Sequence, residues 1–234
     1  MSRLVTVDPH VHTDASYDAE ASVDAVLAYA HNSDLDAIAV TDHDTMAGAW
    51  RAVERARAYD VVVIPGVEVS TADGHLLALG VSERPSPGRS LAETVAAVHD
   101  RGGAAVIPHP FQRSRHGVRR SAVVACDGIE AYNAMAMTGV QNRRALAFAR
   151  RRGYPTLGGS DAHTPEMVGR AVTHVELATA TEPLSADAVV SAIRAGRTDH
   201  VGRRAPVRHY VDKYLHNLRL RTADGLAGLA HPSR

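Results

Sequence analysis

The strongest constraint on the fold is a rhythm. Short, apolar, largely β-branched runs alternate with amphipathic stretches of helix length. Ala37-Ile38-Ala39-Val40, Val61-Val62-Val63-Ile64 and Ala104-Ala105-Val106-Ile107 are continuous apolar runs, as strands covered on both faces are. Strands are expected at residues 4–7, 37–41, 61–64, 75–79, 104–107, 127–132, 156–159 and 171–177. Helices are expected at 23–32, 45–58, 91–100, 140–152 and 185–195. Ser22 and Asp44 are the expected caps of the first two. Gly102-Gly103, Gly153 and Gly196 stand at helix ends, where a left-handed residue stops a helix. Repeated βα units predict an α/β fold built on a parallel sheet or barrel. Residues 111–120 read as a basic loop without period, 82–90 as an exposed loop, and the stretch from Arg197 as an Arg-rich tail.

Composition narrows the function classes. The 234 residues are 45% hydrophobic and 22% charged, which excludes disorder as the main state. No linker rich in Gly, Ser or Pro divides them. Lys+Arg and Asp+Glu are both 26, so a general polyanion-binding surface is disfavoured. Cys126 is the single cysteine, excluding an intrachain disulfide and a Cys-rich zinc knuckle. No apolar run approaches the roughly 18–20 residues of a membrane span. The opening MSRLVTVDPHVH has no signal-peptide core. A cytoplasmic protein without membrane contact is expected. Nothing in the sequence sets an oligomeric state.

The chemistry lies at the carboxyl ends of the expected strands, where barrels and open α/β sheets build active sites. His10, His12, Asp42, His43, Glu68, His109, Glu130, Asp161 and His163 fall there. Imidazoles and carboxylates are ligands for zinc, manganese and iron. His10 and His12, like Asp161 and His163, are two residues apart on extended chain, so each pair faces one side. Glu68 follows a Pro65-Gly66 break expected to project its carboxylate into a cavity. A carboxylate bridges two cations, as an imidazole nitrogen cannot, so Glu68 is the candidate bridge. A single such histidine is usually a hydrogen-bonded surface residue. Five of them gathered with carboxylates on one edge would repel and be poorly solvated without cations.

The ordered segments His10-Val11-His12-Thr13, Thr41-Asp42-His43-Asp44-Thr45, Pro65-Gly66-Val67-Glu68, His109-Pro110, Glu130-Ala131-Tyr132-Asn133 and Gly159-Ser160-Asp161-Ala162-His163 closely resemble the PHP (polymerase and histidinol phosphatase) family of metal-dependent phosphoesterases. The resemblance spans about residues 4–200. It implies a distorted (β/α)7 barrel, with residues 1–200 as the phosphoesterase domain and 201–234 as a tail packing on or trailing from it. It also implies two or three divalent ions, with zinc, manganese or iron favoured over magnesium. Carried across, His10, His12, Glu68 and Asp161 would hold the first ion. Glu68 and His109 would hold the second, and Asp18, His43 and His163 a third. One departure stands out. Family members often give the second ion a further histidine soon after the strand ending near Glu130, yet none occurs between His116 and His163. Glu130, Asn133, His75 or water are the alternatives.

His75, in Gly74-His75-Leu76-Leu77, matches a family segment near the site and is a candidate substrate contact. The basic loop after His109-Pro110 offers Arg113 and Arg115 as a phosphate clamp, since guanidinium binds phosphate through bidentate, charge-assisted bonds. Arg150–Arg152 are expected to face solvent. The reading is hydrolysis of a phosphomonoester on a small phosphorylated substrate by a metal-bound hydroxide, with the leaving-group proton from His43, His163 or Asp42. About forty residues separate Glu68 from His109, leaving no room for a large cap, so an open site is expected. A nuclease or phosphodiesterase acting on nucleic acid or a cyclic phosphate is disfavoured by zero net charge and few aromatics. A non-catalytic metal-binding module is the third possibility.

Overall fold

The computed structural model describes residues 2–179 and 183–204. Its strands are β1 Arg3–Val11, β2 Ala37–Val40, β3 Val62–Thr71, β4 Gly74–Leu79, β5 Ala104–Ile107, β6 Gly128–Asn133, β7 Thr156–Gly159, β8 Ala171–Leu177 and β9 Thr198–Gly202. Its helices are α1 Val23–Asn32, α2 Ala47–Arg55, α3 Leu91–Asp100, α4 Gly139–Arg152 and α5 Ala186–Arg194. One sheet runs in the order β7-β6-β5-β4-β3-β2-β1-β8-β9. Within it β1–β2–β3 and β5–β6–β7 are parallel. β4 joins them as an antiparallel strand, and β8 and β9 extend the β1 side antiparallel. The sheet curls until β7 packs on β8 and β9, giving a nearly closed barrel. The expected distorted α/β barrel is therefore the architecture. Its main departure from βα regularity is β4, which follows β3 through a tight turn with no helix between.

Inward-facing Val5, Val7, Ala37, Ala39, Ile64, Leu77, Val106 and Leu157 fill the barrel, and Val189, Val190 and Ile193 of α5 pack against them. Val11, Ile38, Val40 and Val63 face outward onto α1 and α2, and α3 covers β4 and β5. Parity along β1 changes midway. Val5 and Val7 point into the barrel, whereas Val11 points out. The β1–β2 register shifts between Asp8 and Val11. Such an irregularity re-aims side chains, and here it turns His10 and His12 inward. A second shift between Glu130 and Tyr132 brings Glu130 and Asn133 to one side, although they are three residues apart.

Several expectations change. β3 runs through Pro65-Gly66 to Thr71, so Glu68 projects from a continuous strand and not from a break. Asp44 does not cap α2. It takes a left-handed backbone (φ 50°), and its Oδ1 accepts the Ser70 amide at 2.8 Å, tying the β2–α2 loop to β3. α2 starts two residues later than expected, without a side-chain cap. The loop at 111–120 contains a 3-10 turn, Arg113–Arg115. The Arg-rich stretch from Arg197 supplies β9, which the sequence pattern did not suggest. The rest of the expected tail, from residue 205 on, lies outside the described residues.

The closure of the barrel rests on a side chain. The buried Thr173 hydroxyl accepts the Gly158 amide at 3.0 Å and donates to the Gly158 carbonyl at 2.9 Å. A Cβ on Gly158 would lie 2.6 Å from the Val172 carbonyl, so glycine is what allows β7 to approach β8. Thr173→Val keeps the shape and removes both bonds. It is expected to destabilise the fold by about 1–3 kcal/mol in equilibrium urea unfolding. An unchanged midpoint would show that closure does not depend on this clasp.

Candidate metal centre

The carboxyl ends of β1, β2, β3, β5 and β7 converge on one buried cluster. Glu68 is at its middle. Its Oε2 lies 3.2 Å from His10 Nε2, 3.3 Å from His12 Nε2 and 3.4 Å from His43 Nδ1. Its Oε1 lies 2.8 Å from His75 Nδ1 and 2.9 Å from His109 Nε2. Asp161 Oδ1 faces His163 Nδ1 at 3.5 Å, His12 Nε2 at 3.6 Å and His10 Nε2 at 3.8 Å. Asp18 Oδ2 lies 3.0 Å from His163 Nε2 and 3.6 Å from His43 Nε2. Two of these residues sit on left-handed backbone, His109 with φ 30° and Asp161 with φ 54°. This is strained for side chains other than glycine and common at functional sites.

The donor set fits divalent cations. His10 Nδ1 lies 3.0 Å from Glu130 Oε1, and a carboxylate oxygen accepts, so the ring donates its Nδ1–H there. With the proton on Nδ1, Nε2 presents a lone pair toward His12 Nε2 at 3.1 Å and toward Glu68. His163 Nδ1 similarly donates to the Asp161 carbonyl at 2.8 Å, leaving Nε2 toward Asp18. A ring fixed by a second partner, with its free nitrogen aimed at other acceptors, is the usual setting of a metal-ligating histidine. Charge points the same way. Asp18, Glu68, Glu130 and Asp161 are buried together, and the Arg115 guanidinium pairs with one of them, Asp161. Gathering several carboxylates out of water is costly unless positive charge is gathered with them. His12, Asp18, His43 and His163 form one group with ligand atoms within 4.8 Å of one another, and His10, His12 and Asp161 form another. Glu68 joins two more, with His10 and His109 and with His43 and His75.

The titration behaviour reflects this crowding. Burial opposes charge on His10, but with no cation bound Asp161, Glu68 and Glu130 overcome it and hold its pKa well above the ordinary value, so a metal ion would take the place of the Nε2 proton. Burial, reinforced by the neighbouring His163, holds His12 well below. Burial and the Arg115 charge bring His109 down to about 4, so it is neutral at pH 7, as a ligand must be. Burial works to raise Glu68, yet His43, His75 and His10 outweigh it and keep the carboxyl ionised.

Not every expected site residue joins the cluster. Asp42 does not. Its Oδ1 accepts the Thr13 amide at 2.6 Å and its Oδ2 the Thr13 hydroxyl at 2.7 Å. A Cβ on Gly48 would overlap both Asp42 Oδ2 and Thr13 Oγ1, so glycine makes room for this brace between the loops after β1 and β2. Burial raises the Asp42 pKa to about 6, but both oxygens are engaged. Arg115 is also placed differently from expectation. Its guanidinium pairs with Asp161 Oδ2 and donates to Asn133 Oδ1 at 3.1 Å, so it braces a carboxylate of the cluster and does not stand free as a phosphate clamp. Arg113 lines a cleft of about 630 Å³ with Tyr17, Ser70, His75, His116 and Arg119. Arg150–Arg152 are exposed, as expected.

Glu130 and Asn133 were recognised only as strand-end residues or substitute ligands, and their supporting part is larger. Glu130 Oε2 accepts the His109 amide at 2.7 Å and Asn133 Nδ2 at 2.8 Å. Asn133 Nδ2 also donates to Asp161 Oδ2 at 2.9 Å. Their three-residue spacing conceals this on a regular strand, and only the shift in β6 aligns them. Tyr17 went unnoticed. It is 66% exposed and stacks on His43 with ring centroids 5.0 Å apart. No sequence period marks it.

Fold and site together define a barrel protein with a buried imidazole–carboxylate centre suited to several divalent cations. The chain belongs to the PHP domain family, whose model matches residues 8–164, and a PHP-associated model matches residues 139–198. It is 30% identical over 122 residues to the uncharacterized protein MJ1587 of Methanocaldococcus jannaschii, covering 52% of this chain and 71% of that protein. A Bacteroides vulgatus two-domain protein, containing a predicted PHP-like metal-dependent phosphoesterase, superposes with a TM-score of 0.70 at 18% identity over 92% of this chain and 70% of its own. Endonuclease Q, solved with a 27-mer duplex carrying an abasic lesion, superposes with a TM-score of 0.60 at 13% identity over 86% of this chain and 60% of its own. At these identities the two structures establish the shared fold. Among the described residues no helix is long and apolar enough to cross a membrane.

Gly159 tests the second layer of the site. A Cβ there would overlap Glu130 Oε1 and lie 2.9 Å from His10 Cβ. Gly159→Ala is expected to push Glu130 off His10 and weaken divalent-ion binding by roughly 10- to 100-fold, read by calorimetric titration of the metal-stripped protein. Circular dichroism should stay unchanged. Wild-type affinity in a folded variant would remove Glu130 from the account.

Proposed function

We propose that this chain is a metal-dependent phosphoesterase that hydrolyses a phosphomonoester on a small molecule. The observation that carries the proposal is the Glu68 carboxylate, with imidazoles on both oxygens, beside a cleft lined by arginines. The cleft's volume of about 630 Å³ is that of a small-molecule site, which favours a compact substrate. When bound, divalent ions supply an acidified water and positive charge for phosphoryl oxygens. His10, His12, Glu68 and Asp161 are read as ligands of one ion. Glu68 and His109 belong to a second, and Asp18, His43 and His163 to another. Glu130 holds the His10 ring, and Arg115 with Asn133 holds Asp161.

Arg113 is read as the phosphate-gripping side chain, with Arg119 beside it in the cleft. Tyr17 is a phenol at neutral pH, as tyrosines ordinarily are, and partial burial followed by the Asp18 charge moves its pKa further up, to about 12. It therefore offers an O–H donor and a flat face at the mouth. Of the residues considered for the leaving-group proton, Asp42 is removed by its bonds to Thr13, which leaves His43 and His163. Endonuclease Q shares the fold and holds a duplex substrate with an abasic lesion at its active site, so cleavage of a nucleic-acid phosphodiester is the second reading.

A phosphate-release screen over sugar phosphates, mononucleotides and oligonucleotides, with Mn, Zn, Fe and Mg supplied in turn, separates the readings. Release from a small monoester, abolished by chelation and restored by metal, is expected. Shortening of oligonucleotides without release from monoesters would favour the nuclease. No hydrolysis with any metal would leave only a metal-binding module.

Arg113→Ala removes at least one charge-assisted bond, each contributing about 1.5–3 kcal/mol. That predicts a fall in kcat/KM of roughly ten- to a hundredfold with metal content unchanged. Arg113→Lys should recover part of it, and Arg150→Ala should be silent. A kcat/KM within twofold of wild type for Arg113→Ala would assign the phosphate to the metals alone.

A further inference from the structure

We propose that Ser16 is a positioning residue of the metal centre. Its hydroxyl fixes the proton of the His12 ring on Nδ1 and holds Asp18 beside His43, so one side chain sets ligands of two cations. The inference rests on reading the cluster as a metal centre.

The loop after β1 brings Ser16 beside the His12 ring. Asp42 holds the Thr13 amide and hydroxyl, and the Ser16 amide donates to the Thr13 carbonyl at 2.9 Å. That turn returns Ser16 to His12, four residues back. Ser16 is buried, and its Oγ has three polar neighbours. The His43 amide donates to it at 3.2 Å, Asp18 Oδ1 lies 3.1 Å away and His12 Nδ1 lies 3.4 Å away.

A hydroxyl has one proton and two lone pairs. The Asp18 carboxylate accepts, so the proton points to it. The His43 amide donates and takes one lone pair. The second lone pair is left for His12, whose Nδ1 is then the donor. With the ring proton on Nε2 instead, His12 Nδ1 and Asp18 would compete for a single hydroxyl proton. All three bonds form together only with the proton on Nδ1. Nε2 is then a lone pair facing Glu68 Oε2 at 3.3 Å and Asp161 Oδ1 at 3.6 Å. The ring also stacks on His163, with centroids 4.4 Å apart. Glu130 serves His10 in the same way, as a partner that fixes ring and tautomer. For His12 a neutral side chain does it. The same hydroxyl engages Asp18 Oδ1, while Asp18 Oδ2 faces His43 and His163. Without the hydroxyl, the nearest acceptor for the ring proton is Glu68 Oε2, and a proton on Nε2 would cover the lone pair that a cation needs.

Two readouts test this on metal-stripped wild type, Ser16→Ala and Ser16→Thr. Zn(II) affinity is measured by calorimetric titration. The His12 tautomer is read before metal is added, from long-range proton–nitrogen spectra at pH 7, with His12→Gln identifying its signals. Wild type should carry the His12 proton on Nδ1. Ser16→Ala should move it to Nε2 and weaken Zn(II) binding by roughly 10- to 100-fold. Ser16→Thr keeps the hydroxyl and should restore both. Wild-type affinity or an unmoved tautomer in Ser16→Ala overturns the proposal. If Ser16→Ala does not fold, a wild-type His12 proton on Nε2 overturns it equally. Wild type that binds no Zn(II) would remove the metal centre and this role with it. Zn(II) binding by wild type, with an unmoved tautomer in Ser16→Ala, would remove Ser16 alone.

Discussion

A carboxylate buried among five imidazoles organises this molecule. Glu68 is 1% exposed, so its charge has no water to lean on and depends on the groups facing its two oxygens. Those groups come from β1, the loop after β2, β4 and the end of β5. Each of these strands must therefore reach the same point, and the fold's irregularities serve that end. The parity change in β1 turns His10 and His12 inward, and β4 interrupts the βα repeat to place His75 beside Glu68. Left-handed backbone at His109 and Asp161 aims the remaining side chains.

Around this centre lies a layer of residues that hold the inner ones. Glu130 fixes His10 and accepts the His109 amide, while Asn133 and Arg115 hold one oxygen of Asp161 and leave the other facing the imidazoles. Asp42 and Thr13 join the loops that carry His12 and His43. Because these bonds lie between elements far apart in sequence, the layer ties barrel closure to the geometry of the centre. Gly48 and Gly159 belong to it by what they lack, since a methyl group at either would displace a bracing carboxylate.

The strand-end histidines and carboxylates were legible in the sequence because buried parallel strands are short, continuous and apolar, so polar residues at their ends stand out. His10, His12, His43, Glu68, His109, Asp161 and His163 are brought together where that pattern places them, whereas Asp18 was indicated by the family resemblance alone. The residues that were misread depend on pairings the pattern does not carry. The proximity of His75 to Glu68 comes from an antiparallel register. Arg115 was read as a phosphate clamp because nothing local shows that its guanidinium pairs with Asp161, 46 residues on. Asp42 looked like part of the His43 motif, and only the loop contact with Thr13 takes it away. β9 was hidden by its polar composition, Thr-Asp-His-Val-Gly, typical of an edge strand with little to bury.

The claim on which the rest stands is that cations occupy both faces of Glu68. Anomalous diffraction at the zinc or manganese edge, from crystals of the metal-loaded protein, tests it most directly. The account predicts at least two peaks within the cluster, one at each carboxylate oxygen of Glu68. An empty cluster in a loaded crystal, or peaks confined to one oxygen, would contradict it.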